Sequence, residues 1–197
     1  MLSHWSRKLA PRFLSRSPRL WVAVAALVLC GVGSPPLALG GVAASVEGGS
    51  GQSVDIVGVG IGWTDMYAWR GPWSTELNLS LLGRVDHWHG TEEHPVVSNL
   101  WDVSATPVLR IQPAQPKNWF AFFDVGVGVH FISETRINEQ RQFSTVFQFG
   151  EFVGPGIRFG DRAQYELSFR VQHVSNADIK EPNNGLTFHT IAFQYRF

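Results

Sequence analysis

LTFHTIAFQYRF, residues 186–197, places Ile191, Phe193, Tyr195 and Phe197 at every second position, with Ala192, Gln194 and Arg196 between them. Side chains of a β-strand alternate between its two faces, so one face of this segment is aromatic and apolar and the other is small or polar. The same alternation recurs through the chain. Eight segments rich in Val, Ile, Phe, Trp and Gly, separated by polar turns, are expected as strands over 41–48, 54–63, 74–89, 100–112, 119–133, 146–160, 163–176 and 186–197. Backbone in lipid must satisfy its own hydrogen bonds, which leaves helices and closed barrels as the only spanning structures. An even number of alternating segments is the sequence pattern of an all-β, eight-stranded antiparallel transmembrane barrel. The low overall hydropathy agrees, because only one face of each strand would meet lipid.

An aromatic last residue preceded by alternating aromatics resembles the C-terminal signal of outer-membrane barrels. A soluble lipocalin-like barrel would reverse the polarity and turn its apolar face inward, and alternation alone does not separate the two. In the membrane-spanning reading, the tight link Gly160-Asp161-Arg162 lies on the periplasmic side, and the longer stretches 90–98 and 177–185 face outward.

The first forty residues read differently. Arg7, Lys8, Arg12, Arg16 and Arg19 precede the apolar run LWVAVAALVLCGVG (20–33), and small residues follow. A basic region, a short apolar core and a small-residue exit describe a secretory signal peptide. The expected organisation is a signal peptide over 1–40, with an approximate cleavage point, and a barrel over 41–197. The apolar run is shorter than the roughly 20 residues of a spanning helix; an uncleaved N-terminal anchor is the alternative. Cys30 is the sole cysteine and belongs to this segment. Bulky Leu29 before it argues against a lipoprotein anchor there. The remainder carries 11 basic and 16 acidic residues, a net charge of −5. It has no thiol, disulfide or cysteine-based metal site. A modestly acidic chain without a basic run argues against nucleic acid as a partner.

The segment AQYELSFRVQHVSN (163–176) carries the candidate chemistry. Tyr165, Leu167, Phe169 and Val171 share the lipid-facing side, and Glu166, Ser168, Arg170 and Gln172 share the interior side. The same parity places His173 and Ser175 on the lipid-facing wall. Polar groups on such a face cost free energy unless they are paired. Side chains two apart on a strand lie roughly 6–7 Å from each other along the backbone, so an imidazole can lean toward a hydroxyl. A histidine that takes the serine proton would make a nucleophile of it. Asn176, from side chain or backbone, is a candidate donor to a developing oxyanion. The plainer reading of the three is a polar rim at the membrane interface.

The longer string HVSNADIKEPNNGLTF (173–188) resembles the PagL family of lipid A 3-O-deacylases at His173, Ser175, Asn176, Ala177, Lys180, Pro182, Asn183 and Gly185. FFDVGVGVHFISETR (122–136) and FGEFVGPGIRFG (149–160) are similar to its fifth and sixth strands, and the resemblance covers roughly 50–197. It implies an eight-stranded outer-membrane barrel that hydrolyses an ester-linked acyl chain of lipid A, without metal or other cofactor. It assigns His173 as base, Ser175 as nucleophile and Asn176 as oxyanion support. The partners implied are lipid A or lipopolysaccharide as substrate and the outer membrane as location.

The chain departs from the family at the acid that follows the serine by twelve positions, where it has Thr187. Thr187 shares the outward parity and is expected beside Ser175 across the last hairpin. Threonine can hydrogen-bond an imidazole but cannot stabilise an imidazolium by charge. Glu151 is an acid on the otherwise apolar face formed by Phe147, Phe149, Val153 and Ile157. Pairing through the tight turn sets it near Gln172 and within reach of His173, as a substitute that orients or stabilises the base; a structural surface carboxylate is the alternative.

Other features carry less. His87, His89 and His94 lack the three or four convergent ligands that a metal requires, and read as a polar rim with Trp88. Trp63, Trp69, Trp73, Trp88, Trp101 and Trp119 lie mostly near strand ends and suit interfacial girdles. VGVGIG (57–62) and VGVGV (125–129) precede no helix, which removes a dinucleotide site; their glycines suit strand curvature. Lys180 in the outer loop is a candidate contact for a head-group phosphate, or an ordinary solvated lysine. Three functions therefore stand at this point: an esterase working in the membrane, a non-catalytic barrel of the same family that binds lipid or is structural, and a soluble lipid-binding barrel.

Overall fold

The computed structural model describes residues 40–93, 95–139 and 141–197. The expected signal segment up to residue 39, Cys30 within it, and His94 lie outside the described residues. Ten strands follow in order: β1 (Val42–Gly51), β2 (Val54–Arg70), β3 (Thr75–Gly90), β4 (Asn99–Pro113), β5 (Phe120–Ile132), β6 (Arg136–Asn138), β7 (Arg141–Gln142), β8 (Phe147–Phe159), β9 (Tyr165–Ser175) and β10 (Leu186–Arg196). Eight of them close an antiparallel barrel in the order β1-β2-β3-β4-β5-β8-β9-β10, and β10 pairs back onto β1. The expected barrel is thus present, with every strand hydrogen-bonded on both sides.

Two segments differ from their expected form. β2 runs on to Arg70 instead of stopping at Trp63. A bulge between Trp63 and Tyr67, with Asp65 at φ 54°, breaks the alternation and then lets pairing with β3 resume. The sequence pattern fades at this irregularity, since a bulge inserts unpaired residues and shifts the faces. The connection from β5 to β8 contains an unexpected two-stranded sheet, β6–β7. It carries Ile137 and Phe143, both fully buried.

The outer wall is apolar. Val46, Val57, Ile61, Val103, Phe131 and Ile191 are each more than half exposed. A soluble barrel would turn these side chains inward, whereas here they face out along strand after strand, as a lipid-facing wall requires. The interior is charged and filled. Arg84 donates to Glu47 (2.9 Å), Asp86 (2.7 Å) and Gln172 (3.0 Å). Arg170 also reaches Glu47, at 2.7 Å. Nearer the chain's end, Arg110 bonds Asp124 and Glu166, and Arg158 bonds Glu166. Buried charges are tolerated when every ion has partners for its remaining hydrogen-bonding capacity. A packed ionic lumen of this kind fixes the barrel and conducts nothing.

At the end opposite the termini, the interior turns apolar. Trp88, Phe143, Phe188, Leu100, Val174 and Leu186 form one buried cluster. Trp88 meets Phe188 edge-on with centroids 4.9 Å apart and Phe143 at 6.2 Å. The β5–β8 connection folds into the mouth here: Val97 N donates to Ile137 O at 3.3 Å. The plug holds the top of β9 and β10 from inside through Val174, Leu186 and Phe188. That leaves their outward residues with a rigid support.

Candidate active site

Alternation places Val174 inward, fully buried, and His173 and Ser175 on the outer wall, half-buried. The site therefore opens away from the lumen, as the parity of the strand required. β9 lies between β8 and β10. In register, Glu151 of β8 and Thr187 of β10 flank His173, and Phe149 flanks Ser175.

Both flanking residues stand one or two register steps from where the sequence set them, and Glu151 is within reach of His173 as expected. Thr187 stands opposite His173 and not beside Ser175. His173 Nδ1 and Thr187 Oγ1 share a hydrogen bond of 2.8 Å. The threonine is itself fixed, because its backbone N–H donates to Gln52 Oε1 at 2.9 Å. Glu151 pairs with His173 itself and not with Gln172. Among the described residues no hydrogen bond joins its carboxylate to the imidazole. The structure thus brings His173, Ser175, Thr187 and Glu151 together on one patch of wall, with one orienting bond made.

Gly185 supplies the space in front of them. It has φ +61°, and a methyl group built on it would lie 2.7 Å from His173 Cε1, 2.9 Å from Nε2 and 3.4 Å from Ser175 Cβ. Contacts below about 3 Å between such atoms are repulsive, so any larger residue would push the imidazole away. The ring edge that carries Nε2 and the Ser175 side chain face the same glycine. In this arrangement the hydroxyl is not yet hydrogen-bonded to the ring. Such bonds are commonly long before substrate binds.

Asn176 turns away from the hydroxyl. Its side chain is fully buried, and Nδ2 donates to Phe143 O at 2.6 Å and to Lys180 O at 2.7 Å. Its backbone N–H donates to Asn183 Oδ1 at 3.0 Å. Ala177 and Asp178 follow with positive φ. The residue ties the start of the 176–185 loop to its end and to the plug. Asn184 extends that tie to β7: its N–H donates to Gln142 O at 3.1 Å, and its Oδ1 accepts from Gln142 N at 3.3 Å.

Away from this patch, His87 packs edge-on against Trp101 at 4.9 Å, and His89 Nδ1 lies 3.0 Å from Asn99 Oδ1. Among the described residues no three His, Cys, Asp or Glu converge as metal ligands. Gly185 and Arg141, whose guanidinium lies by the loop, were not singled out as site residues by sequence reasoning. The Asn-Asn-Gly triplet entering β10 was a signal for the first. The second became visible only once the β5–β8 connection was placed.

Residues 57–196 match the family model described as lipid A 3-O-deacylase (PagL). The chain belongs to the PagL family. A lipid A deacylase PagL of Bordetella bronchiseptica is 29% identical over 120 residues, which are 59% of this chain and 60% of that protein. A lipid A deacylase PagL of Pseudomonas aeruginosa is 29% identical over 151 residues, 75% of this chain and 81% of that protein. The chain thus spans about 60% of the Bordetella relative's length. The crystal structure of the outer membrane enzyme PagL superposes with a TM-score of 0.70 at 24% identity, covering 79% of this chain and 99% of that one. The two share one fold, and the string from His173 to Gly185 lies inside the stretch that the PagL family model matches.

Proposed function

We propose that this PagL-family chain is an outer-membrane lipid A deacylase that hydrolyses a 3-O-linked acyl ester with Ser175 as nucleophile and His173 as general base. The observation that carries the reading is the outward pair on β9, with the imidazole held by Thr187 at 2.8 Å and its other edge cleared by Gly185. A nucleophile on a lipid-facing wall serves a substrate whose acyl chains lie alongside the barrel and whose sugar sits at the rim. A water-soluble ester would not reach it.

With Nδ1–H donating to Thr187 Oγ1, Nε2 keeps its lone pair. Ser175 Oγ attacks the ester carbonyl carbon and its proton passes to Nε2. The tetrahedral oxyanion collapses, the bond from acyl carbon to sugar oxygen breaks, and the imidazolium returns the proton to that oxygen. Water then attacks the acyl-serine with His173 as base. The fatty acid leaves and Ser175 is restored. Thr187 holds the tautomer. Glu151, cross-strand from His173, supplies the negative charge that threonine lacks. Asn176, expected as a donor to the oxyanion, has its amide and N–H engaged within the loop and acts instead by fixing the course of the loop behind Ser175.

Expression in a Gram-negative host, followed by mass spectrometry of lipid A, tests this. The expected result is loss of one hydroxyacyl group with the wild type and none with Ser175→Ala. Intact lipid A beside abundant, folded wild-type barrel would favour a non-catalytic, lipid-binding member of the family.

A further inference from the structure

The β5–β8 connection brings an unneutralised cation to the reaction site. β7 is fastened to the loop at Asn184 by the two bonds above, and Arg141 Nη1 adds a third, to Asn184 O at 3.4 Å. Asn184 precedes Gly185, where an added methyl group would meet both His173 and Ser175. Arg141 is therefore close enough for its charge to act on the imidazole.

Guanidinium is charged at any working pH and carries five N–H donors in a planar fork. Here only one reaches a protein acceptor, over a long distance to a backbone carbonyl. Among the described residues no carboxylate lies within ion-pair distance of Arg141. The interior arginines differ: Arg84, Arg110, Arg158, Arg170 and Arg196 each meet a carboxylate. Arg141 is half-buried, so its remaining donors are only partly open to water. A lone cation beside a base that must itself become cationic also opposes the reaction by simple repulsion. An anion arriving with the substrate would relieve that repulsion and occupy the fork.

We infer that Arg141 binds an anionic oxygen group, a phosphate or a carboxylate, on the sugar head group of the substrate, and so sets the scissile ester over Ser175. This rests on the deacylase reading and specifies the head group which that site accepts. Lys180, a cation of the 176–185 loop, is exposed, and its carbonyl accepts from Asn176.

The test uses full-length protein in detergent micelles with three lipids: phosphorylated lipid A, its phosphate-free form, and a phosphate-free form that retains an acidic sugar. For wild type, kcat/KM is expected to fall about tenfold when the anion is absent, in line with the loss of a charge-assisted pair. Arg141→Gln is expected to lose about tenfold on the anionic lipid and little on the neutral one, with Arg141→Lys recovering part. Whichever of the two anionic lipids shows the dependence identifies phosphate or carboxylate. Equal losses on charged and neutral lipids would overturn the inference, since they would mark Arg141 as loop scaffolding. Equilibrium binding of the same lipids separates this from the deacylase reading. A wild type that turns over nothing, yet prefers anionic lipid through Arg141, leaves the inference standing and removes the reaction. No preference in binding or turnover removes the inference alone.

Discussion

At the residue scale, His173 has two cross-strand neighbours of unlike kind. Thr187 makes a hydrogen bond and carries no charge, whereas Glu151 is an acid that makes no hydrogen bond to the ring. Orientation and electrostatic support, which a single acid would combine, are thus divided between two strands in this account. Thr187→Ala removes an orienting bond worth about 1 kcal/mol and is expected to lower kcat about fivefold with the barrel intact. Glu151→Gln preserves shape and removes the charge, and is expected to lower kcat at least as far, read by release of fatty acid from lipid A. Unchanged turnover in Glu151→Gln would exclude the carboxylate from the mechanism. The outward placement of His173 and Ser175 was legible in the sequence because parity along one strand is a local property. Their partners were not fully so. A pairing register misjudged by one residue set Glu151 against Gln172, and only the folded turn at Gly160 to Gln164, with Ala163 N donating to Gly160 O at 2.8 Å, settles which residues meet. The fate of the Asn176 amide was equally hidden, since its acceptors Phe143 and Lys180 lie on separate stretches of chain.

At the element scale, the barrel strands followed from alternation, while the pieces that shape the site did not. β6 and β7 are three and two residues long, too short for any periodicity. The connection they belong to matters because its Ile137 and Phe143 plug the mouth and Phe143 O accepts from Asn176. The plug and the 176–185 loop are therefore one mechanical unit. Phe143→Ala leaves a cavity beside Trp88 and is expected to cost about 3–5 kcal/mol, measured by urea unfolding in lipid vesicles. Hydrogen exchange over residues 176–185 is expected to quicken in the same variant, while amides of β3 and β4 far from the mouth keep their protection. Uniform loss of protection around the barrel would show that the plug stabilises the whole closure and not the loop in particular.

At the scale of the whole molecule, the usual arrangement of a small protein is turned inside out, with charge within and apolar side chains outside. Its interior is an ionic lattice centred on Arg84, Glu47, Arg110 and Glu166 and contributes rigidity. His173 and Ser175, the proposed reacting groups, sit on the outside, near the end that bears the longer connections, where an apolar wall meets the rim. In the proposed reaction, membrane placement is therefore part of the site, since such a wall would gather acyl chains beside Ser175. A fluorophosphonate probe with a long alkyl tail, applied to the barrel in vesicles, tests this claim most directly. Attack by Ser175 forms an O–P bond and expels fluoride, so peptide mass spectrometry locates the label. The account expects rapid labelling of Ser175, lost in His173→Ala, and much slower labelling by a short, water-soluble analogue. Equal labelling by both probes, or a label that spares Ser175, would contradict it.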